Sequence, residues 1–437
     1  MTIQGMAAPR RRLIAGVVVL VVVLGSVFLV ARGRGDDGPS HRAVGTANLF
    51  VDPSGGSCTR HAAGSTYADG AACGSFDAAN DACRDGDLVL VKGGDYGDQR
   101  ITGSNTRTRM CTIEAAPGER VTFRTLTTDG DWLTLRHMDS HAGETTHLGI
   151  GGCVWCDQKG GSHLVLDDVN LFGKWAAGEI TGARDVTWKH SELGTKDNRE
   201  PRLCNQDDVP FRIAGSRDVL VEHNTFHPFF GEEGCYHLET FRLWDSSDGL
   251  TFAANHFDDG RGDTSFTISS SRGGCPPERC PANRNIHLVG NYFGDKCCGF
   301  EAPDFSTGEA CVGIVLAYNF FKDQTGGFLD NCASESGDVY VGNLGFNQGG
   351  CPLKGTVTGN LWIGETHGEC PGNRWLLGKQ DDWSVYRLAP DGRHLTADSP
   401  AIDAGETKVC AEYAHGVDAD GQRRSGTCDA GPDEYVR

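Results

Sequence analysis

Helical periodicity is scarce in this 437-residue chain, and no phosphate-cradling glycine loop precedes a helical stretch. That removes the strand–loop–helix units that hold nucleotides. Basic clusters are equally scarce past the amino terminus. Residues 1–35 carry five Arg and no acid, so residues 36–437 hold 35 basic against 59 acidic side chains, a net of −24. Such a surface repels nucleic acid and anionic membranes, because phosphate binding needs concentrated Lys and Arg. A polyuronate would be repelled too unless cations bridge the two, so neutral glycans or Ca²⁺-dependent contact with acidic ones are the compatible partners. Apolar residues make up only 38% of the chain while glycine contributes 61 positions. This is a turn-rich composition, and one elongated domain suits it better than several globular ones.

What is present is a phrase that repeats: apolar residues at alternate positions, then Asn, then an aromatic. It reads Val219–Val221 with Asn224 and Phe226, Leu250–Phe252 with Asn255 and Phe257, and Ile286–Leu288 with Asn291 and Phe293. Val315 with Asn319 and Phe321, Val339–Val341 with Asn343 and Phe346, and Val357 with Asn360 and Trp362 continue it. Each copy holds one short strand and a turn, a unit that buries its apolar face only by stacking on its neighbours. The spacing predicts a solenoid in which the asparagines form a ladder at a corner, in left-handed backbone, and the aromatics stack inside. Earlier strands are expected at 88–91, 121–123, 133–135, 164–166 and 186–188. Ser75 is expected to cap a brief helix with Phe76, Ala79, Ala82 and Cys83 on one face.

The amino terminus adds a membrane signal. Leu13–Ala31 is nineteen uncharged, mostly apolar residues behind Arg10, Arg11 and Arg12, long enough as a helix to span about one hydrocarbon core. The charge bias predicts a cytoplasmic tail (1–12), a transmembrane signal anchor (13–31), a linker (32–47) and an extracellular remainder at the cell membrane. A cleaved signal peptide and a secreted protein form the alternative, although Leu29-Val30-Ala31 lacks the small-x-small pattern. Export agrees with eighteen cysteines, an even number. Local pairs are expected for Cys58 with Cys73, Cys83 with Cys111, Cys275 with Cys280 and Cys410 with Cys428, with Cys204 and Cys235 a further candidate. Cys153-Val154-Trp155-Cys156 reads as a loop disulfide, not as a metal or redox site.

Both ends of the exported part carry a resemblance. Gly74-Ser75-Phe76-Asp77-Ala78-Ala79, Gly86-Asp87-Leu88-Val89-Leu90-Val91 and Gly93-Gly94-Asp95-Tyr96 resemble the opening of extracellular right-handed parallel β-helix proteins, the pectate-lyase-like superfamily. The end is similar to that group as well: Ser399-Pro400-Ala401-Ile402-Asp403-Ala404-Gly405, Asp420-Gly421-Gln422-Arg423 and Cys428-Asp429-Ala430-Gly431-Pro432-Asp433-Glu434. The resemblance implies an all-β, right-handed parallel β-helix over 48–395, opened by a capping helix and closed by a capping segment over 396–437. It implies little about activity, because the superfamily holds lyases, hydrolases, epimerases and non-enzymatic adhesins.

Residues that belong to neither ladder nor core gather between about 196 and 272. Asp207 and Asp208 resemble the paired acids of polygalacturonases, but no Asn-Thr-Asp or Gly-His-Gly follows, and Arg212-Ile213-Ala214 comes too early for that family's Arg-Ile-Lys. A second group joins Glu232, Glu233, His237 and Glu239 with Asp258, Asp259, Arg261 and Asp263, and Arg272 lies beyond. His237, Glu239, Asp259 and Arg261 are the candidate catalytic residues; Asp207, Asp208, Glu233, Asp263 and Arg272 are candidate substrate contacts. Carboxylates beside Arg fit polyuronate lyase chemistry, in which cations neutralise the sugar carboxylate and a basic group removes the adjacent ring proton. The expectation is a monomeric surface protein acting on or binding polysaccharide, as a lyase or glycoside hydrolase if it is an enzyme. No cofactor is required by the residues, and Ca²⁺ is the one the chemistry admits. The rivals are a non-catalytic adhesion or glycan-binding module and a structural stalk.

Overall fold

Strict alternation in Val219-Leu220-Val221 puts Val219 and Val221 inside and Leu220 outside, and the same parity holds in the coils above and below. In the computed structural model these alternating runs build three parallel sheets. The structure describes residues 45–103, 106–140, 145–151, 160–173, 175–194, 211–227, 239–244, 246–258, 264–268, 282–294, 298–301, 311–324, 338–346, 355–364, 370–379, 382–413 and 416–436. Sheet I stacks Leu49–Val51, Leu88–Val91, Cys111–Ala115, Arg184–Lys189, Arg217–Glu222, Asp248–Ala253, Asn283–Val289, Cys311–Ala317, Val339–Val341 and Thr356–Thr358. Sheet II follows it around a bend, with Thr225–Phe226, His256–Phe257, Tyr292–Phe293, Phe320–Gln324 and Leu344–Phe346 among its strands. The long strands Leu133–Ser140 and Ser162–Phe172 run through the bend and belong to both. Sheet III has eight strands, Asp98–Ile101, Thr125–Thr128, Thr145–Gly151, Trp175–Thr181, Phe211–Ala214, Glu239–Trp244, Thr264–Ile268 and Cys298–Glu301. Each turn of chain visits III, I and II in that order, which is a parallel β-helix. The strands expected at 88–91, 121–123, 133–135, 164–166 and 186–188 are all present or lie within longer ones.

The asparagine ladder occupies the bend from I to II. Asn224, Asn255, Asn291, Asn319, Asn343 and Asn360 are all buried, and each side-chain amide donates to the Oδ1 of the next asparagine at 2.7–3.2 Å, ending at Asn373. One expectation needs correcting. The left-handed residue is the one before each asparagine: His223, Ala254, Gly290, Tyr318, Gly342 and Gly359 all have positive φ, whereas the ladder asparagines do not. That residue makes the bend, and the asparagine after it satisfies the backbone groups that the bend leaves unpaired. A second ladder at the bend from III to I was not anticipated. There the Ala183 N–H donates to Ser216 Oγ, the Ser216 N–H to Ser247 Oγ, and the Ser247 N–H to Asn283 Oδ1.

Inside, the aromatic stack runs as expected through Phe226, Phe257, Phe293 and Phe321, with centroids 4.6–4.9 Å apart and planes within 13°. It stops at Gly345, which holds the next register position; Phe346 pairs one step further along, with Ile363. In sheet III Phe241 and Phe266 form a parallel stack of their own.

The helix Phe76–Ala82 is capped by Ser75, whose Oγ accepts the Ala78 N–H, and it packs on Leu49–Val51 and Asp98–Ile101 at the amino-terminal end of the stack. Disulfides join Cys58 to Cys73, Cys83 to Cys111 and Cys410 to Cys428, as the spacing predicts. Cys275, Cys280, Cys204, Cys235, Cys153 and Cys156 lie outside the described residues, as does the apolar segment 13–31. Among the described residues no helix is long and apolar enough to cross a membrane. The carboxyl-terminal tail lies against the outer faces of the last coils. Tyr386, Leu395, Ala401 and Ala430 cover Tyr292, Phe320, Leu344 and Leu361 of sheet II, and Cys410 with Cys428 covers Val315, Val339 and Val341 of sheet I.

Candidate functional site

Strand parity decides which side chains leave the barrel-like core. In sheet III the inward row is Leu148, Gly178, Phe211, Phe241 and Phe266, so the residues one step on face outward: Gly149, Glu179, Arg212, Arg242 and Thr267 in successive coils. Two of these strands repeat one arrangement, a guanidinium between core residues, in Phe211-Arg212-Ile213 and Phe241-Arg242-Leu243. Stacking then sets the charged groups about 4.8 Å apart along the sheet.

Arg212 donates from Nε to Glu179 Oε2 at 2.7 Å and makes a second, very short contact from its terminal nitrogen to the same oxygen. Thr181 Oγ1 donates to the other carboxylate oxygen at 3.2 Å. Burial opposes the charge on Glu179, but the Arg212 hydrogen bond and charge win and hold its carboxyl below the usual range. Arg212 and Arg242 both lie against Trp244, with guanidinium carbons 5.6 and 5.8 Å from the ring centroid. Arg242 is only 7% exposed. The next residue in the row, Thr267, is fully buried, and its hydroxyl finds no hydrogen-bond partner among the described residues.

His147 lies two residues before Gly149 and leans over it; a Cβ at that glycine would come within 2.9 Å of the imidazole Cε1. Burial lowers the His147 pKa, and the Arg212 charge lowers it further while Glu179 opposes. The ring is therefore neutral at neutral pH, beside a carboxylate and a guanidinium. Together these residues form an outward patch that can pair with anionic groups, stack a flat or apolar sugar face on Trp244, and accept a proton at His147.

The residues nominated from sequence relate to this patch by chain position. Asp207, Asp208, Glu233, His237, Asp259, Arg261 and Asp263 fall in the connections that lead into sheet III, and Arg272 in one that leaves it; all eight lie outside the described residues. Glu239 opens the strand Glu239–Trp244, in register with Thr264 and two positions before the core residue Phe241. Sequence reasoning missed His147, Glu179, Arg212 and Arg242. The signal was available: an Arg between two apolar residues, occurring twice 30 positions apart.

Asp258, part of the nominated acidic group, has a different role. It closes a cluster on the outer side of sheet II, where His227 Nδ1 and His256 Nε2 each approach its carboxylate at 2.7 Å and Glu192 reaches His227 Nε2 at 3.5 Å. Burial works against its charge, yet the two histidines hold its carboxyl well below the usual carboxylate range. The His227 pKa is raised, burial being outweighed by Asp258 and Glu192.

No family model matches the chain, and no curated protein matches it. Solved structures do. The pectate lyase Pel9A aligns over 90% of this chain and 98% of its own, at 14% identity and a TM-score of 0.43. XylC in complex with xylose aligns over 89% and 98%, at 8% identity and a TM-score of 0.48. A rhamnogalacturonan lyase aligns over 84% and 98%, at 11% identity and a TM-score of 0.38. The parallel β-helix itself is established by the register of this chain's own strands.

Proposed function

We propose that the outer face of sheet III binds an acidic polysaccharide and cleaves it by β-elimination outside the cell, with segment 13–31 as the membrane anchor. The observation that carries this reading is the Arg212–Arg242 pair around Trp244. Both guanidiniums lie against one indole ring, on one face of an exported part whose net charge is −24, and an anionic sugar chain has a reason to dock there. In this reading Arg212 faces a uronate carboxylate, with the buried charge of Arg242 behind it, and the neighbouring ring proton becomes more acidic. Neutral His147 takes that proton; the C–H electrons form the ring double bond, and the glycosidic C–O bond breaks as the leaving oxygen gains a proton. Glu179 keeps Arg212 in place. Disulfides such as Cys58–Cys73, Cys83–Cys111 and Cys410–Cys428 suit an oxidising exterior.

Incubation with a panel of polyuronates, followed by the ultraviolet absorbance of unsaturated uronate, tests the chemistry. The expected result is turnover that His147→Ala reduces by about 10²–10⁴-fold with binding retained, and that Arg242→Ala loses through binding. Retention of a glycan without turnover would leave a binding module. Absence of both across acidic polysaccharides, with and without Ca²⁺, would remove the reading.

A further inference from the structure

Where the tail crosses sheet II it leaves a cavity of about 100 Å³, remote from the sheet III patch in the coil sequence. His256 and Tyr292 wall it from the coils; Arg393, His394, Asp420 and Asp433 wall it from the tail. One ligand atom each from His394, Asp420 and Asp433 lies within 4.8 Å of the other two.

The histidine is held in a particular way. Asp391 accepts the backbone N–H groups of Arg393 and His394 at 2.9 and 3.2 Å, and its other oxygen meets His394 Nδ1 at 2.5 Å. That fixes the ring and commits Nδ1 to a proton, so Nε2 is the nitrogen presented to Asp420, at 2.8 Å. A carboxylate holding the far nitrogen of an imidazole is the arrangement that orients metal-ligating histidines. Asp433 supplies an independent observation. It is 7% exposed, one of its oxygens accepts the Leu395 N–H at 2.6 Å, and among the described residues no ion pair is made to it. The charge facing this buried carboxylate is that of His394, and a divalent ion in the cavity would put a stronger one in its place.

We propose that His394 Nε2, Asp420 and Asp433 bind one divalent transition-metal ion of the Zn²⁺ class. One imidazole nitrogen with two carboxylates suits Zn²⁺ and its neighbours; Ca²⁺ takes six to eight oxygens and Mg²⁺ keeps most of its water. Metal–ligand bonds of about 2.0–2.2 Å place ligand atoms roughly 3–3.5 Å apart, so on binding the 2.8 Å His394–Asp420 pair opens a little while Asp433 moves in. The proton on Nε2 leaves to solvent as the metal takes its place. The ion joins the 391–394 turn to the 416–436 tail, and its remaining coordination positions open into the cavity. This site does not depend on the polysaccharide reading.

The test uses the purified full-length chain, stripped with chelator and titrated with Zn²⁺, Mn²⁺ and Ca²⁺ by calorimetry, with Co²⁺ absorption reporting the ligand set. The expected result is one Zn²⁺ per chain, bound at least 100-fold more tightly than Ca²⁺, and a Co²⁺ spectrum showing nitrogen and oxygen ligation. Asp420→Asn and Asp391→Asn should each weaken Zn²⁺ binding about 10–100-fold. Asp420 is on the surface, so its variant keeps the metal-free circular dichroism and melting curve. Failure to bind Zn²⁺ stoichiometrically would overturn the proposal. So would Zn²⁺ affinity unchanged in a folded Asp420→Asn, which would place the ion elsewhere, or a preference for Ca²⁺.

Discussion

Each ladder asparagine does three jobs at one bend, and Asn291 shows them all. Its Oδ1 accepts the Asn255 N–H at 2.9 Å and the Asn255 side-chain amide at 3.0 Å, while its own amide donates to Phe252 O and Asn319 Oδ1. Asn291→Ala strands a buried backbone N–H and a buried carbonyl, each costing about 1–3 kcal/mol. Equilibrium urea unfolding should therefore show a loss of roughly 3 kcal/mol or more. Asn291→Asp should cost more still, because it turns a donor toward two oxygens into a buried negative charge. His227 and Asp258 give a pH prediction with opposite signs at its two ends. The raised His227 pKa contributes stability that is fully present below its unfolded value of about 6.5 and is lost as pH rises through the folded value. The depressed Asp258 pKa contributes stability present above about 3.8 and lost as pH falls through the folded value. Melting temperature should thus have a plateau between about pH 4 and 6.5 that His227→Gln flattens on its alkaline side. An unchanged profile in that variant would show that the cluster is not coupled to folding. At this scale the sequence revealed which residues form the ladder and the aromatic stack. It misplaced the left-handed residue, because Asn tolerates that backbone and His, Ala and Tyr do not advertise it; only the observed bend shows that the position before the asparagine turns the chain.

Among the elements, the tail depends on a buried charge more than on its own secondary structure. Arg424 lies over the Tyr318 ring at 4.8 Å, donates to the Asp429, Gly431 and Val417 carbonyls, and pairs with Glu434 at 3.4 Å. Removing one partner of such a buried pair costs about 3–5 kcal/mol, since the other charge stays behind. Arg424→Met should release the tail, seen as faster proteolysis after residue 382 and faster hydrogen exchange over 383–436, while the middle coils stay protected. If exchange rises equally in all coils, the tail is part of one cooperative unit. Tyr386 makes a related link: its hydroxyl accepts the Gly345 N–H and lies 2.8 Å from both the Gly345 and Leu361 carbonyls, with one proton to give to either, at the coil where the aromatic stack ends. The tail's existence was legible from Ser399–Gly405 and Cys428–Glu434, and the helix Phe76–Ala82 from its cap and apolar spacing. The tail's seat on the flank of the coils was not legible, because its apolar partners Tyr292, Phe320, Leu344 and Leu361 are spread over 70 positions. The sheet III patch was hidden for the same reason. Arg212 and Arg242 become neighbours only once the register is known.

At the scale of the whole molecule three of the disulfides lie toward the two ends of the described residues. Cys58–Cys73 and Cys83–Cys111 hold the first coils, and Cys410–Cys428 holds the tail. Closing a 28-residue loop removes roughly 3–4 kcal/mol of denatured-state freedom. A solenoid's stability is a sum over neighbouring repeats, so its ends fray first. Replacing Cys83 and Cys111 by Ser should then speed hydrogen exchange over residues 45–115 before it reaches the coils between Phe226 and Phe321. Uniform loss across the chain would contradict repeat-wise unfolding. The asparagine ladder also has a direction. Each side-chain amide from Asn224 to Asn360 gives one hydrogen bond to the next asparagine toward the carboxyl terminus, and successive coils meet through this same bond whatever the length of chain between them, from 36 residues down to 13. Growth of such a molecule is therefore counted in whole steps. An insertion that runs from one asparagine to the next adds a rung and leaves every junction chemically the same, while an insertion of half a coil cuts the ladder. Variants of this chain can lengthen or shorten like a stack of coins, and its loops can change size freely while the number of rungs stays an integer.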